Sequence, residues 1–175
     1  MNRKVTDCAT ALIVHSHWAK QQLELQACET PIYVVPHYAL TPEASPARAS
    51  NREGARAQLG LENDAFVILS AGYVTRAKRV EWTLSAFEAL AVEYPKAVLV
   101  IAGEVLPDVL GARLADSPFR ARIILTGYLS DADFCDYTLA ADVLPGMRFP
   151  SAGESSGVIA RAMGFGRLVI APELM

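Results

Sequence analysis

The chain has 175 residues, 52% of them hydrophobic and 20% charged, with a formal net charge of −3 and a pI near 5.6. Its length suits one domain, or one domain with part of another, and its apolar content excludes disorder over most of the sequence. The acidic balance argues against a nonspecific nucleic-acid binder, which needs a concentrated basic face.

Three cysteines without C-x-x-C spacing exclude a disulfide framework or a cysteine zinc site, and they are typical of a reducing cytoplasm. No apolar run approaches the roughly 20 residues that span a bilayer. The first four residues are not followed by an apolar segment, so we expect no secretory signal.

The N-terminal part of the sequence predicts a strand, a helix and a second strand. Ala9–Val14 is a short apolar run, Ser16 can cap a helix that continues to about Ala27, and Ile32–Val35 is β-branched and aromatic. Such a β-α-β unit is too small to fold alone. Residues 41–50, with two prolines and small side chains, are typical of a linker. The predicted parts are therefore residues 1–40, 41–50 and 51–175.

Beyond the linker, short apolar runs alternate with helical patterns. Asn51 can cap a helix that stops at Gly60, Val80–Tyr94 carries apolar residues at helical spacing, Ser130 can cap another helix, and residues 154–165 form the last. The apolar runs are Ala65–Leu69, Ala97–Ile101, Ile123–Leu125, Asp142–Leu144 and Leu168–Ile170. Most are apolar throughout, which is typical of strands covered on both faces. This alternation predicts a doubly wound parallel α/β sheet.

Four of these predicted strands run directly into a glycine, at Gly72, Gly103, Gly127 and Gly146. In doubly wound sheets, ligands bind beyond the carboxyl ends of the strands. Tight turns explain these glycines without a ligand, but four at one edge also indicate a backbone surface that a ligand approaches closely.

Three cations, Arg76, Lys78 and Arg79, directly precede the predicted helix Val80–Tyr94. The helix dipole makes a cation there unfavourable by roughly 0.3–1 kcal/mol. A bound anion would resolve the conflict by pairing with the cations and accepting hydrogen bonds from the exposed N–H groups. Solvated surface charge is the alternative, and charge alone does not decide between them. The loop contains neither a P-loop motif nor a G-x-G-x-x-G motif.

The segment that opens the last predicted helix offers hydroxyls, backbone N–H groups and a carboxylate, from Ser155, Ser156, Gly157 and Glu154. This set suits sugar hydroxyls beside a phosphate. It is also an ordinary helix start, with an acid among capping residues. Because this segment and the Lys78 loop both follow strands of the predicted sheet, we expect them at the same edge.

Other chemistries have little support in the sequence. His15 and His17 lie at a strand-to-helix junction without a third metal ligand, and His37 lies in a turn. No G-x-S-x-G elbow accompanies a serine, so a serine hydrolase is unsupported.

Taken together, the sequence resembles the family-4, group 1 retaining glycosyltransferases, which have the GT-B architecture of two facing Rossmann-like domains. The resemblance lies in motifs that occur in the family order: Ala11–Ser16, Val34–His37, Ala71–Arg79, Val100–Glu104, Leu125–Tyr128 and Pro150–Gly166. It implies that residues 1–40 are the end of the acceptor-side domain, and that residues 51–175 are a C-terminally incomplete nucleotide-sugar (donor) domain.

The resemblance also implies a role for each site residue. Lys78 and Glu154 would be the catalytic pair, with Lys78 on the donor phosphates and Glu154, the first acid of the E-x7-E motif, facing the donor sugar. Donor binding would fall to Gly72, Thr75, Arg76, Arg79, Gly127, Tyr128, Leu129, Arg148, Ser155, Ser156 and Gly157. No cofactor and no metal is required.

Three features depart from the family pattern. Tyr73 stands where many members carry an arginine, and the alternatives for the role of that arginine are Arg76 and Arg79. The second acid of E-x7-E is absent, its place being taken by Ala162 or Arg161 according to the alignment chosen. The chain is also short for a GT-B enzyme.

We therefore expect a retaining hexosyltransferase-type chain that turns over poorly or not at all alone. Its partners would be a nucleotide sugar and a carbohydrate or lipid-linked acceptor, with no nucleic acid and no membrane span. We expect a cytoplasmic location, with or without peripheral contact at the inner membrane face. The alternatives are a non-catalytic nucleotide-sugar-binding module completed by a second copy or a partner chain, and a GT-B sugar-nucleotide epimerase.

Overall fold

The computed structural model describes residues 6, 8–105, 107–150 and 155–173. The chain divides into two compact units, one formed by residues 1–38 and 151–157 and the other by residues 39–150 and 158–175. The division at residues 40 and 50 that the sequence suggests, with its donor and acceptor sides, stays a prediction.

The first unit contains strand β1 (Leu12–Val14), helix α1 (His17–Glu24) and strand β2 (Ile32–Val34). The two strands pair in parallel. As predicted, Ser16 caps the helix, because its hydroxyl accepts a hydrogen bond of 3.1 Å from the Ala19 N–H. The predicted strand–helix–strand order is confirmed.

The second unit is built on five parallel strands in the order β5-β4-β3-β6-β7. They are β3 (Phe66–Ala71), β4 (Ala97–Ala102), β5 (Ile123–Gly127), β6 (Val143–Pro145) and β7 (Leu168–Ile170). Each corresponds to one of the continuous apolar runs in the sequence, because a strand covered on both faces has no polar side to display. The predicted parallel sheet is confirmed.

The helices of this unit are α2 (Arg52–Leu59), α3 (Val80–Glu93), α4 (Pro107–Ala115), α5 (Asp131–Ala140) and α6 (Gly157–Gly164). The predicted caps form, with Asn51 accepting from the Gly54 N–H at 2.8 Å and Ser130 from the Asp133 N–H at 3.1 Å. Helix α4 was not predicted, because Gly111 interrupts a short sequence with little apolar periodicity. Residue 154, where we expected the last helix to begin, lies outside the described residues.

Buried side chains form a cluster on each face of this sheet. Alternation along β3 sends Val67 and Leu69 to one cluster and Ile68 to the other. The first cluster includes Ala55 of α2, Leu139 of α5 and Ala162 of α6. The second includes Leu84 and Phe87 of α3 and Leu110 and Leu114 of α4. The predicted doubly wound arrangement is therefore confirmed.

Arg56 of α2 is fully buried at the amino ends of the central strands. Its guanidinium donates to four backbone carbonyls, those of Glu62, Asn63, Ala65 and Ala140, at 2.7–3.2 Å. It also donates to the carboxylate of Asp142 at 2.8 Å. A buried cation is tolerated when its donors are matched in this way.

Asp142 extends this contact to the sheet itself. Its carboxylate accepts from the Val67 N–H at 2.7 Å, and its own N–H donates to the Val67 carbonyl at 2.9 Å. Arg56 and Asp142 therefore hold the start of β3 beside the start of β6.

The segment from residue 41 to 50 also makes fixed contacts within the second unit. The Asp136 carboxylate, fully buried in α5, accepts hydrogen bonds from the N–H groups of Arg48 and Ala49 at 2.9 and 3.1 Å. The Arg48 side chain pairs with the same carboxylate at 2.9 Å.

Replacing Arg56 should lower the stability of the fold far more than replacing Arg52, which pairs with the same carboxylate of Asp142. We expect Arg56→Ala to lower the free energy of unfolding by about 3–5 kcal/mol, because four backbone carbonyls lose their guanidinium donor and Asp142 loses its buried partner. Urea denaturation followed by circular dichroism measures the change.

Arg52→Ala is the matched control. Arg52 also pairs with Asp142, but its side chain is 38% exposed, so we expect a loss within about 1 kcal/mol. Equal losses for the two variants would contradict the role given to Arg56.

Candidate functional site

The order of the central sheet creates a crevice at the carboxyl ends of β3 and β6. From β3 the chain proceeds through β4 to β5 on one side, whereas β6 and β7 lie on the other. At such a switch point the loops after the two central strands run apart, and ligands bind between them. Here these loops are residues 72–79 and 146–150.

The first loop begins with a turn that requires glycine. Gly72 has φ +93°, and its N–H donates to the Ala102 carbonyl at 2.7 Å. Gly103 of the neighbouring strand has φ +141°, and a methyl group there would overlap the main chain of Gly72. Main chain thus packs directly on main chain beneath the loop.

Lys78 lies at the end of the short 3₁₀ turn Arg76–Lys78, and its ammonium points back to the strand end. The Nζ donates to the Ala71 carbonyl at 3.0 Å. It lies directly over Gly72, where a methyl group would overlap it. The absence of a side chain at position 72 therefore makes room for the ammonium.

The Lys78 ammonium has an unfavourable electrostatic environment. Burial lowers its pKa, and the positive charge of Arg148 lowers the pKa further. Among the described residues no carboxylate pairs with it. Two converging cations, one of them partly desolvated and without a counter-charge in the described part of the chain, make a site suited to an anion.

The second loop is fixed against the first through its main chain. The Gly146 N–H donates to the Ile170 carbonyl at 2.7 Å, and a side chain at Gly146 would collide with Ile159. The Phe149 N–H donates to the Ala77 carbonyl, also at 2.7 Å. This last bond brings Arg148, the residue before Phe149, beside the Lys78 turn.

Other predicted donor residues fall around this core of the site. Thr75 precedes the 3₁₀ turn and Arg76 begins it. Gly127 ends β5 with φ +66°, the next residue, Tyr128, is 84% exposed, and Leu129 packs against the hydrophobic core. Because β4 separates β5 from β3, this turn lies farther along the sheet edge than the Lys78 and Arg148 loops.

The predicted residues from 154 to 157 belong to the first compact unit, and one of them lies outside the described residues. Ser155 and Ser156 are exposed, and Gly157 begins α6. Glu154 lies outside the described residues. The predicted convergence of the Lys78 and Glu154 loops stays a prediction.

One pair at the strand ends was missed by sequence reasoning. A hydrogen bond to the Glu104 carboxylate raises the pKa of Tyr73. The pairing follows from the β-bridge between Val74 and Val105, which extends β3 and β4 beyond their glycines. Only the register of the two strands, which the sequence does not reveal, could have indicated it.

Two kinds of feature are absent from the described residues. These residues include no group of three or more His, Cys, Asp or Glu side chains placed to hold a metal ion. Within the described part of the chain, no helix has the length and hydrophobicity to cross a bilayer.

Sequence comparison identifies a family. The sequence model of the family described as glycosyl transferases group 1 matches residues 65–174, which is more than half of the chain. No curated protein matches the chain in sequence.

Solved structures share the fold over nearly the whole chain. WaaG, a glycosyltransferase involved in lipopolysaccharide biosynthesis, is 17% identical, with a TM-score of 0.74, over 93% of this chain and 44% of its own. Sucrose-phosphate synthase from Thermosynechococcus elongatus is 22% identical, with a TM-score of 0.76, over 97% and 42%. Anabaena HepE, in complex with UDP and glucose, is 20% identical, with a TM-score of 0.74, over 97% and 46%.

The chain thus spans less than half the length of these three proteins. Likeness at such identities shows the fold alone, and it agrees with the predicted Rossmann-like half of a GT-B architecture. The predicted group 1 family is confirmed, whereas the family-4 assignment and the retaining stereochemistry stay predictions.

Replacing Lys78 with an uncharged residue of similar length should stabilise the ligand-free protein. Because the folded pKa of Lys78 lies below its unfolded value, stability of the wild type rises with pH between those two values. We expect Lys78→Met to have a higher free energy of unfolding than the wild type at pH 7, with an advantage that shrinks toward pH 10. Urea denaturation at both pH values tests this.

Lys96→Met serves as the control, since Asp64 and Glu62 raise the pKa of Lys96. That variant should gain no stability at pH 7. A Lys78→Met variant less stable than the wild type would contradict the electrostatic conflict at this site.

Proposed function

Because the chain belongs to the group 1 glycosyl transferases, we propose that it forms the donor-binding half of an enzyme that transfers a glycosyl group. The donor is a nucleoside diphosphate sugar, the acceptor is a carbohydrate or lipid-linked hydroxyl, and the anomeric configuration is retained. The observation that carries the proposal is the Lys78 ammonium at the switch point, facing Arg148 and lacking a carboxylate partner among the described residues.

A diphosphate suits this pair of cations better than a ligand with a single negative charge would. Its phosphates can accept from the free N–H bonds of the Lys78 ammonium and from the Arg148 guanidinium together. The site lies before α3, so the N-terminal N–H groups of that helix add positive potential. Bound phosphate would raise the lowered pKa of Lys78, so affinity should fall as the pH rises through that pKa.

The same charges supply the catalytic step. As the glycosidic bond breaks, negative charge develops on the departing nucleoside diphosphate and positive charge on the sugar ring. Lys78 and Arg148, fixed before reaction, stabilise the charge on the leaving group. This role needs both cations to be held in place without a ligand, which the hydrogen bonds of Lys78 to Ala71 and of Phe149 to Ala77 support.

The proposal also assigns residues to the donor sugar and to the nucleotide base. We assign the donor sugar hydroxyls to Glu154, the distal phosphate or the sugar to the N–H groups of Ser156 and Gly157, and a donor-binding role to Ser155. The nucleotide base is assigned to the turn at Gly127 and Tyr128. The Anabaena HepE structures hold UDP with glucose, or UDP-glucose, which supports a nucleotide sugar as the ligand class.

The wider context belongs to the same proposal. We place the protein in the cytoplasm, which its free cysteines support. No cofactor takes part in this scheme. Poor turnover by the chain alone, and completion of the acceptor side by a second copy or a partner chain, stay predictions.

Removing the Lys78 charge should weaken nucleotide binding selectively. We expect Lys78→Ala to raise the dissociation constant of the nucleoside diphosphate that binds best among UDP, GDP and ADP by about 10- to 150-fold, as for loss of a charge-assisted contact of about 1.5–3 kcal/mol. Isothermal titration calorimetry measures it. Lys96→Ala removes the same charge from the opposite edge of the sheet, and its affinity should equal that of the wild type.

The proposal fails if the folded wild type binds none of the three nucleotides, or if the two alanine variants bind them equally well.

Gly72→Ala tests the same pocket without removing any charge. The added methyl group displaces the Lys78 ammonium and strains the backbone, so we expect a loss of affinity of roughly tenfold or more. Gly60→Ala is the matched control, because Gly60 also has a positive φ but open space around it. That variant should lose some stability and keep its affinity, and equal losses of affinity would contradict the placement of Lys78 over Gly72.

A further inference from the structure

Arg79 has an unusual backbone conformation for a residue with a side chain. It lies in the left-handed region, with φ +48° and ψ +41°, between the Lys78 turn and the start of α3. Glycine adopts this conformation without strain, whereas a side chain makes it costly. Strain of this kind persists where surrounding contacts hold it, and such positions concentrate at functional sites.

The Arg79 side chain is already engaged by its neighbours. Its Nε donates to the Phe149 carbonyl at 3.0 Å, and its guanidinium carbon lies 5.2 and 5.8 Å from the ring centroids of Trp82 and Phe149. An Nη1 atom lies 3.5 Å from the Glu81 carboxylate. A guanidinium held in this way is oriented toward the second loop.

Together with the main chain, Arg79 completes a two-bond bridge between the loops. The Phe149 N–H donates to the Ala77 carbonyl, and the Phe149 carbonyl accepts from Arg79. Lys78 lies between Ala77 and Arg79 in the sequence, and Arg148 directly precedes Phe149, which takes part in both bonds. The bridge therefore fixes, relative to each other, the two main-chain segments that carry the site cations.

We propose that Arg79 is a positioning residue that holds Arg148 against the Lys78 turn, so that the two positive charges are already close together before a diphosphate binds. This inference rests on the proposed function for its ligand. Without a bridge, repulsion would favour separation of the two cations in the ligand-free protein, and nucleotide binding would have to bring them back. The lowered pKa of Lys78 agrees with this enforced proximity.

The principal variant is Arg79→Gly, which removes the side-chain bond of the bridge and relieves the backbone strain, while the main-chain bond from Phe149 to Ala77 remains. We expect its melting temperature to stay within a few degrees of the wild type, whereas its dissociation constant for the best-binding nucleoside diphosphate rises by roughly 3- to 10-fold, the range that one hydrogen bond carries. Arg79→Lys, which keeps one donor, should recover part of the affinity. Arg113→Ala removes an equal charge from an exposed ion pair with Glu88 and should bind as the wild type does.

A double-mutant cycle shows whether Arg79 acts through Arg148. In an Arg148→Ala background, Arg79→Gly should cost almost nothing further, because there is no second cation left to position. Full additivity of the two losses, or wild-type affinity in Arg79→Gly, would overturn the proposal.

The Lys78 pKa in the ligand-free protein gives a readout that needs no nucleotide. NMR titration of lysine labelled at Cε should show a higher Lys78 pKa in Arg79→Gly than in the wild type, because Arg148 is held less closely to the Lys78 ammonium. An unchanged pKa would overturn the positioning role even if nucleotides bind. A raised pKa together with no nucleotide binding by the wild type would uphold the bridge, but it would overturn the proposed function and the diphosphate part of this inference.

Discussion

The contact between buried Arg56 and Asp142 is the constraint on which the architecture of the larger unit rests. It joins the amino ends of the two central strands, which are connected in sequence only through β4, β5 and their helices. Once β3 and β6 start side by side, their carboxyl ends must open into neighbouring loops. A cation and an acid at one edge of the sheet therefore determine which side chains meet at the other, about six residues away along β3.

The charges at the carboxyl edge of the sheet are unpaired among the described residues in the case of Lys78, whereas the charge of Arg56 at the amino edge is paired. At the amino edge each guanidinium nitrogen of buried Arg56 has an acceptor, and the charge stabilises the fold. At the carboxyl edge Lys78 and Arg148 repel one another, and main-chain bonds to Ala71 and Ala77 hold the loops that carry them. Such a site lowers the stability of the ligand-free protein and raises the affinity for an anion, because the cations that bind the anion are already in place.

Local patterns were sufficient to predict much of this structure. Continuous apolar runs located the strands, and Ser16, Asn51 and Ser130 were identified as caps because capping depends on residues only three apart. The burial of Arg56 was not foreseen, since a cation on a helix normally faces water. Strand order, and hence the meeting of Phe149 with Arg79, depends on contacts 70 residues apart in sequence. The charge pattern marked the Lys78 loop as a candidate anion site, and the family resemblance named Arg148 as a donor-binding residue, but the proximity of these two residues follows only from the sheet order.

The contact between Gly103 and the main chain of Gly72 has a consequence for how this sequence can vary in evolution. Neither position faces only solvent: a side chain at 103 would push the turn at 72, and a side chain at 72 would push the ammonium above it. Substitutions at the two positions are therefore coupled to each other and to Lys78, although they lie on different strands. A lineage that lost the lysine would be released only from the overlap above Gly72, because the positive φ of both glycines and the main-chain contact at Gly103 would remain. Two retained glycines beside a replaced lysine would therefore mark descendants that kept the turn and abandoned the anion.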